Sequence, residues 1–165
     1  MPLARIDEVV DAVVAVIAAD WSPSAPDSVS AEDAPEFNTD PDEGEVMSGR
    51  QVRVLPDSYD SPDAASRAQD VNDYTVVVVV AELYPDAGPV PAAWVRERRR
   101  WVQDVLFAPL TNPRTRLLAV PGEPGSGLWS VAPSAVETVY DVDELRERKV
   151  FLSVLRLTFR EHADA

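Results

Sequence analysis

Few residues of this sequence could serve as a nucleophile or as a general base. The chain has 165 residues, no cysteine and a single histidine, His162, three residues from its C-terminal end. A general base needs positioned neighbours and partial burial, and we expect a frayed chain end to provide neither. A Ser-His-Asp arrangement would depend on the same histidine. We therefore expect no catalytic residues and a protein that is not an enzyme.

Two segments resemble ligand-binding loops but lack residues that such loops require. The alternating side chains that resemble calcium ligands are Asn38, Asp40 and Asp42. An EF-hand loop then needs glycine directly after the third ligand and glutamate at its twelfth position, where this sequence has Glu43 and Gly49. The glycine-rich stretch 122–127 contains no lysine, so it does not match a phosphate-binding Walker loop. The sequence predicts no metal site and no cofactor.

The sequence has one dense basic patch, RERRR at 96–100. The side chains predicted to share the outer face of a helix there are Arg96, Arg99, Arg100 and Gln103. These arginines could contact an acidic surface, either phosphate or the acidic loop of a neighbouring subunit. Alternatively, they could form a solvated helix face with local pairs such as Arg100 with Asp104. Both interpretations stay open, and Arg96, Arg99 and Arg100 are candidates for a subunit interface.

Two amphipathic helices are predicted from the spacing of apolar residues. The helix that carries the basic patch begins near Pro91, which suits a first turn, and Pro109 is expected to end it. Its inner face comprises Trp94, Val95, Arg98, Trp101, Val102, Val105 and Leu106. The N-terminal helix has an apolar face formed by Ile6, Val9, Val10, Val13, Val14 and Ile17.

The longest predicted strand, 74–83, is apolar on both faces. One face holds Val76, Val78 and Val80, and the other holds Val77, Val79 and Ala81. Each face needs a cover, from the same domain or from another copy of the chain. Val77 and Val79 are therefore further candidates for a subunit interface.

Shorter patterns complete the predicted architecture. Residues 50–56 indicate a strand ended by Pro56, 128–142 an extended segment broken at Pro133, and 148–161 a closing strand. Residues 115–121 fit a strand or a helical turn. Residues 22–48 are acidic and proline-rich and contain no lysine or arginine, which predicts a long loop or arm. The order of elements favours a single α+β domain over 1–165, with a mixed or antiparallel sheet packed against two main helices.

The charge of the chain limits its partners. The net charge of −14 argues against DNA, RNA or an anionic membrane surface bound through bulk electrostatics.

The acidic residues Asp7, Glu8 and Asp11 interrupt the N-terminal apolar run, so it does not match a signal peptide. No stretch reaches the roughly 18 apolar residues of a membrane span. We expect a soluble protein.

Taken together, these segments resemble a known family. The N-terminal helix, the VRVLPD and DYTVVVVV strands, the WVRERRRWVQDVLFAPL helix and the closing ERKVFLSVLRLTFRE strand are similar to those of tail-terminator, or tail-completion, proteins of long-tailed bacteriophages and related prophage elements. The resemblance covers about residues 5–20 and 50–160.

The resemblance implies a small structural subunit that forms a ring, typically a homohexamer. The ring would cap the head-proximal end of the tail tube, stop tube polymerisation and dock to the head-tail connector. Its partners would be other copies of itself, the tail-tube protein and the connector protein. DNA would pass through the lumen without specific binding, which the acidic charge would favour. The protein would assemble in the bacterial cytoplasm and reside in the neck or tail of the virion, with no membrane partner.

Two other functions stay open at this stage. Another head-tail connector, such as an adaptor or stopper, or a minor tail protein would share the same ring-forming design. A monomeric acidic regulator that mimics nucleic acid belongs to a different class, and it would require an ordered acidic surface.

Overall fold

One five-stranded sheet organises the chain. The structure is a computed structural model that describes residues 2–19, 25–60, 71–112 and 127–162. The strands are β1 (Ser28–Ala31), β2 (Arg50–Asp60), β3 (Val71–Leu83), β4 (Gly127–Thr138) and β5 (Val150–His162), in the spatial order β1-β2-β3-β5-β4. β1 runs parallel to β2, and the other neighbours are antiparallel. This confirms an α+β fold with a mixed sheet. The predicted segment 115–121 lies outside the described residues, as does the glycine-rich stretch except for Gly127.

Helices precede the sheet and interrupt it. The first, α1, spans Pro2–Ala19. A continuous helical segment follows β3: α2 (Ala92–Arg100), a π-helical stretch (Trp101–Phe107) and α3 (Ala108–Thr111). A short helix, α4 (Val142–Glu147), lies between β4 and β5. Among the described residues, none of these helices combines the length and the hydropathy needed to cross a membrane.

One face of the sheet forms the main core with the helices. The predicted inner valines Val76, Val78 and Val80 are at most 1% exposed. They join buried residues of α1, α2, the π-helical stretch and β5 in a single cluster. The predicted inner residues of α1 are buried except Val14, which packs against the same cluster. The predicted apolar faces of both helices are therefore confirmed, and the predicted closing strand is β5.

The opposite face of the sheet receives part of its cover from the acidic segment. Parallel neighbours such as β1 and β2 need a connection that crosses the sheet, and residues 32–49 provide it. Met47 is buried in a small cluster with Ala81 and Val150, and Phe37 packs against them. The described part of the segment predicted as a loop or arm, 25–48, is thus mostly a loop, and Phe37 and Met47 pack it on its own domain. The prediction is wrong for 28–31, which form β1.

The start of the parallel pair depends on Asp27. Its backbone N–H donates to the Arg50 carbonyl oxygen at 2.8 Å, and its carboxylate accepts from the Arg50 N–H at 2.6 Å. Gly49 has φ +70°, and a Cβ at this position would overlap the Asp27 carboxylate. The short SVSA sequence has little strand propensity of its own, and it forms β1 because it pairs with β2.

Two prolines do not end elements where the sequence predicts. β2 continues past Pro56 with a register shift between Pro56 and Ser58, beyond the last residue that pairs with β1. A bulge and a free edge both tolerate the missing N–H. Pro109 lies in the first turn of α3, and the helix continues to Thr111. At Pro133 the predicted break is present as a register shift between Val131 and Ala135, within a single strand β4.

A charged network joins the helical segment to the sheet. Glu82 of β3 accepts from Arg98 of α2 at 3.0 and 3.1 Å and from Arg50 of β2 at 3.0 Å. The Arg98 guanidinium lies 4.2 Å from the ring centroid of Trp94, and that of Arg50 lies 4.3 Å from that of Trp101. Since one carboxylate binds two arginines, it fixes which face of α2 points inward.

Candidate subunit interface

The outer face of α2 forms one wall of an open groove. The groove has a volume of about 400 Å³ and is lined by Arg96, Arg99, Arg100, Gln103, Asp104 and Val139. We call these six residues the arginine groove. The first four are the side chains that the sequence predicts to project from the helix, and Arg96, Arg99 and Arg100 are all exposed. The structure therefore brings together the three predicted interface arginines.

The arginines of the groove have no carboxylate partner among the described residues. Six other described arginines form ion pairs: Arg50, Arg53, Arg98, Arg148, Arg156 and Arg160. Of the arginines with described side chains, only Arg146 resembles the groove arginines in lacking such a pair. The chain carries 29 acidic and 15 basic residues, so carboxylates are plentiful. Three adjacent unpaired arginines in so acidic a chain form an electrostatically unsatisfied surface.

The local pair that the sequence suggests for Arg100 does not form. Asp104 lies in the same groove, yet it makes no ion pair with Arg100. Asp104 lies in the π-helical stretch that begins at Trp101. Arg100 therefore has no carboxylate partner among the described residues.

The second wall of the groove comes from the segment between β4 and α4. Val139 is 51% exposed, and Val142 at the start of α4 is 50% exposed. The Arg99 guanidinium lies 5.8 Å from the ring centroid of Tyr140, within the range of a cation–π contact. Tyr140 in turn stacks on Phe151 of β5. The sequence did not reveal this wall, because it lies about forty residues from α2 along the chain.

The two valines predicted as interface residues belong to a different surface. Val77 and Val79 lie on the sheet face opposite the helices and are half-buried. In the strand register Val77 stands between Leu55 and Arg156. Arg156 of β5 reaches Asp57 of β2, so its side chain crosses β3 beside Val77. The candidate residues therefore form two sets on opposite sides of the sheet.

Ion pairs line this second face. The hydrogen bond from Arg156 to Glu137, at 2.6 Å, and the charge of Asp57 raise the pKa of Arg156. Arg160 donates to both oxygens of Asp73 at 2.7 and 2.9 Å. The Arg53 Nε lies 2.9 Å from Glu32 Oε1, in a geometry too bent for a hydrogen bond. Since these arginines have partners within the chain, this face has less unsatisfied charge than the arginine groove.

The residues considered for chemistry have other roles where they are described. The Asn38 side-chain oxygen accepts from the Asp40 N–H, and the Asp40 carboxylate accepts from the Asp42 N–H, both at 2.9 Å. No group of three or more histidine, cysteine, aspartate or glutamate side chains within the described ranges could hold a metal ion. His162 pairs through its backbone at the end of β5, so the prediction of a frayed chain end is wrong at this residue.

Neither a scan of protein-family models nor a search of the curated proteins finds a match to this chain.

Proposed function

We propose that this protein is a structural subunit of a phage-type tail, a tail terminator whose copies form a ring at the head-proximal end of the tail tube. The observation that carries the proposal is the arginine groove, in which three exposed and unpaired arginines flank an exposed valine in a chain of net charge −14. Apolar side chains beside unpaired arginines are typical of protein–protein contacts. The resemblance of the sequence to tail-terminator proteins is the reason for proposing a tail ring as the assembly.

The charge distribution supports the same proposal. Among the described residues, exposed Asp and Glu outnumber exposed Lys and Arg, and a ring of such subunits would therefore repel the phosphates of DNA that passes through it. The basic residues that remain unpaired are concentrated on one helix face, where they favour a protein partner. The ring would stop tube growth and present a surface to the head-tail connector.

A genetic test separates this function from the related connector functions. Deletion of the coding sequence from the phage or prophage element that carries it should yield tail tubes of uncontrolled length, measured by negative-stain electron microscopy. Tubes of normal length that fail to join heads would instead indicate an adaptor or stopper. Normal particles would contradict any role in the neck.

One observation favours a second candidate, an acidic regulator that mimics nucleic acid. The carboxylates of Asp40, Asp42, Glu43 and Glu45 are exposed on a loop whose backbone is held by hydrogen bonds. A regulator of this kind would act as a monomer and would have no use for the arginine groove. A chain that stays monomeric and competes with DNA for a basic protein would support the regulator and contradict the ring.

A further inference from the structure

Two surfaces of this chain carry opposite charges that form no ion pairs within its described residues. The first is the arginine groove. The second is the stretch 36–45, which we call the acidic loop, with exposed carboxylates at Glu36, Asp40, Asp42, Glu43 and Glu45. None of these five carboxylates forms an ion pair with a described residue. Opposite charges that are both exposed and both unpaired make the two surfaces complementary.

The acidic loop is held in one conformation by its own polar groups. The Asn38 side-chain amide donates to the Glu45 carbonyl oxygen at 3.0 Å, and the Met47 N–H donates to the Asn38 carbonyl oxygen at 2.8 Å. The Glu43 N–H donates to the Asp40 carbonyl oxygen at 3.1 Å. A loop that is already ordered loses little conformational entropy when it binds.

Contacts with the body of the domain fix the place of the loop. Arg148 donates to the Phe37 carbonyl oxygen at 2.8 Å and to the Thr39 hydroxyl at 3.2 Å. Met47 and Phe37 pack against the sheet face opposite the helices. The loop is therefore anchored on the other side of the sheet from the packing face of α2, and its carboxylates make no ion pair with the groove of the same chain.

We propose that the arginine groove of one copy binds the acidic loop of the next copy. This inference rests on the proposed ring function and names the residues that would join its subunits. Arg96 and Arg100 would meet the carboxylates of Asp42 and Glu43, and Val139 would be covered by the apposed chain. Asp104 is the one carboxylate in the groove, and three arginines outweigh it.

The contact is head-to-tail, because each copy contributes a groove to one neighbour and a loop to the other. Such heterologous contacts generate closed rings when the rotation between copies closes, and open filaments when it does not. Charge pairs of this kind set register and partner choice, and salt weakens them. A ring held in this way should dissociate as ionic strength rises.

Reciprocal charge reversal tests the contact. The groove variant is Arg96→Glu/Arg100→Glu, and the loop variant is Asp42→Arg/Glu43→Arg. None of these four side chains makes a hydrogen bond or an ion pair within the described structure. The matched controls are Arg146→Glu/Lys149→Glu and Asp33→Arg/Asp86→Arg, which change the net charge equally at sites outside both surfaces. Assembly is measured by native mass spectrometry at low ionic strength, with circular dichroism to confirm folding.

Each reversal alone should weaken assembly at least about tenfold, as the loss of close interfacial charge pairs predicts, whereas both controls should assemble like the wild-type chain. An equimolar mixture of groove and loop variants should recover rings of alternating composition. In that mixture every reversed groove meets a reversed loop, and every native groove meets a native loop.

The other outcomes overturn the inference in distinguishable ways. A loop variant that assembles normally, or a mixture that does not recover, shows that the groove binds something other than the acidic loop, and the ring proposal stands. A groove variant that assembles normally removes the groove from the interface. A wild-type chain that forms no oligomer contradicts the proposed function itself.

Discussion

Glu82 determines how the interface arginines are presented. This β3 carboxylate is 13% exposed at its side chain and binds Arg98 from α2 and Arg50 from β2. Because Arg98 is drawn inward, the neighbouring residues Arg96, Arg99 and Arg100 face outward. The same carboxylate thus stabilises the packing of the helix and orients the candidate interface.

Replacement of Glu82 should lower the stability of the fold. Glu82→Gln leaves Arg50 without its carboxylate partner and Arg98 with only the exposed carboxylate of Glu97. We expect a loss of about 2–3 kcal/mol in the free energy of unfolding, below the about 3–5 kcal/mol seen for fully buried pairs. The control is Glu97→Gln, which removes a pair with Arg98 whose carboxylate is 73% exposed and should cost under about 0.5 kcal/mol. Urea unfolding measures both, and equal effects would contradict the structural role of Glu82.

Local apolar patterns in the sequence predicted the helices and strands whose formation depends on burial in the core. The alternation in β5, the valine run in β3 and the helical spacing in α1 and α2 each reflect contact with a single core, so periodicity was sufficient. The strand β1 could not be predicted, because its four residues become a strand only through pairing with β2. Extension of β2 past Pro56 also depends on tertiary context, because the register shift that accommodates the proline arises in the pairing with β3.

The sequence predicted only the part of the candidate interface that lies on a single helix. Helical spacing gave the outward direction of the three arginines, since all of them lie on one element. The wall formed by Val139 and Tyr140 depends on how β4 and α4 pack, which leaves no local signal in the sequence. The pair of Arg100 with Asp104 that helical spacing suggests does not form.

The short helix α4 offers an element-scale test, because a single side chain caps it. Asp141 Oδ1 accepts from the N–H groups of Asp143 and Glu144 at 2.9 and 3.0 Å. Asp141→Ala should lower the free energy of unfolding by about 1 kcal/mol, while Asp141→Asn, which keeps a capping oxygen, should cost much less. Denaturant unfolding gives the comparison. If alanine and asparagine behave alike, packing rather than the cap holds α4 beside the groove.

The net charge of the whole molecule favours protein partners over DNA. We expect no retention of duplex DNA at about 150 mM salt at micromolar protein, where non-specific DNA-binding proteins typically still bind. The reason is that a net charge of −14 repels phosphates, and three of the four unpaired arginines among the described side chains lie on a single helix face. An electrophoretic mobility assay checks this, and micromolar retention would show that the arginine groove binds phosphate instead of carboxylate.

The proposed ring, held by charged head-to-tail contacts between copies of this chain, can be tested by native mass spectrometry of the wild-type protein across a salt series. We expect one closed species at low ionic strength, with six copies of the 18.1 kDa chain as the resemblance implies, that dissociates to folded monomers as salt increases. A protein that remains monomeric at every salt and protein concentration, or an oligomer that salt does not affect, would rule out such a ring.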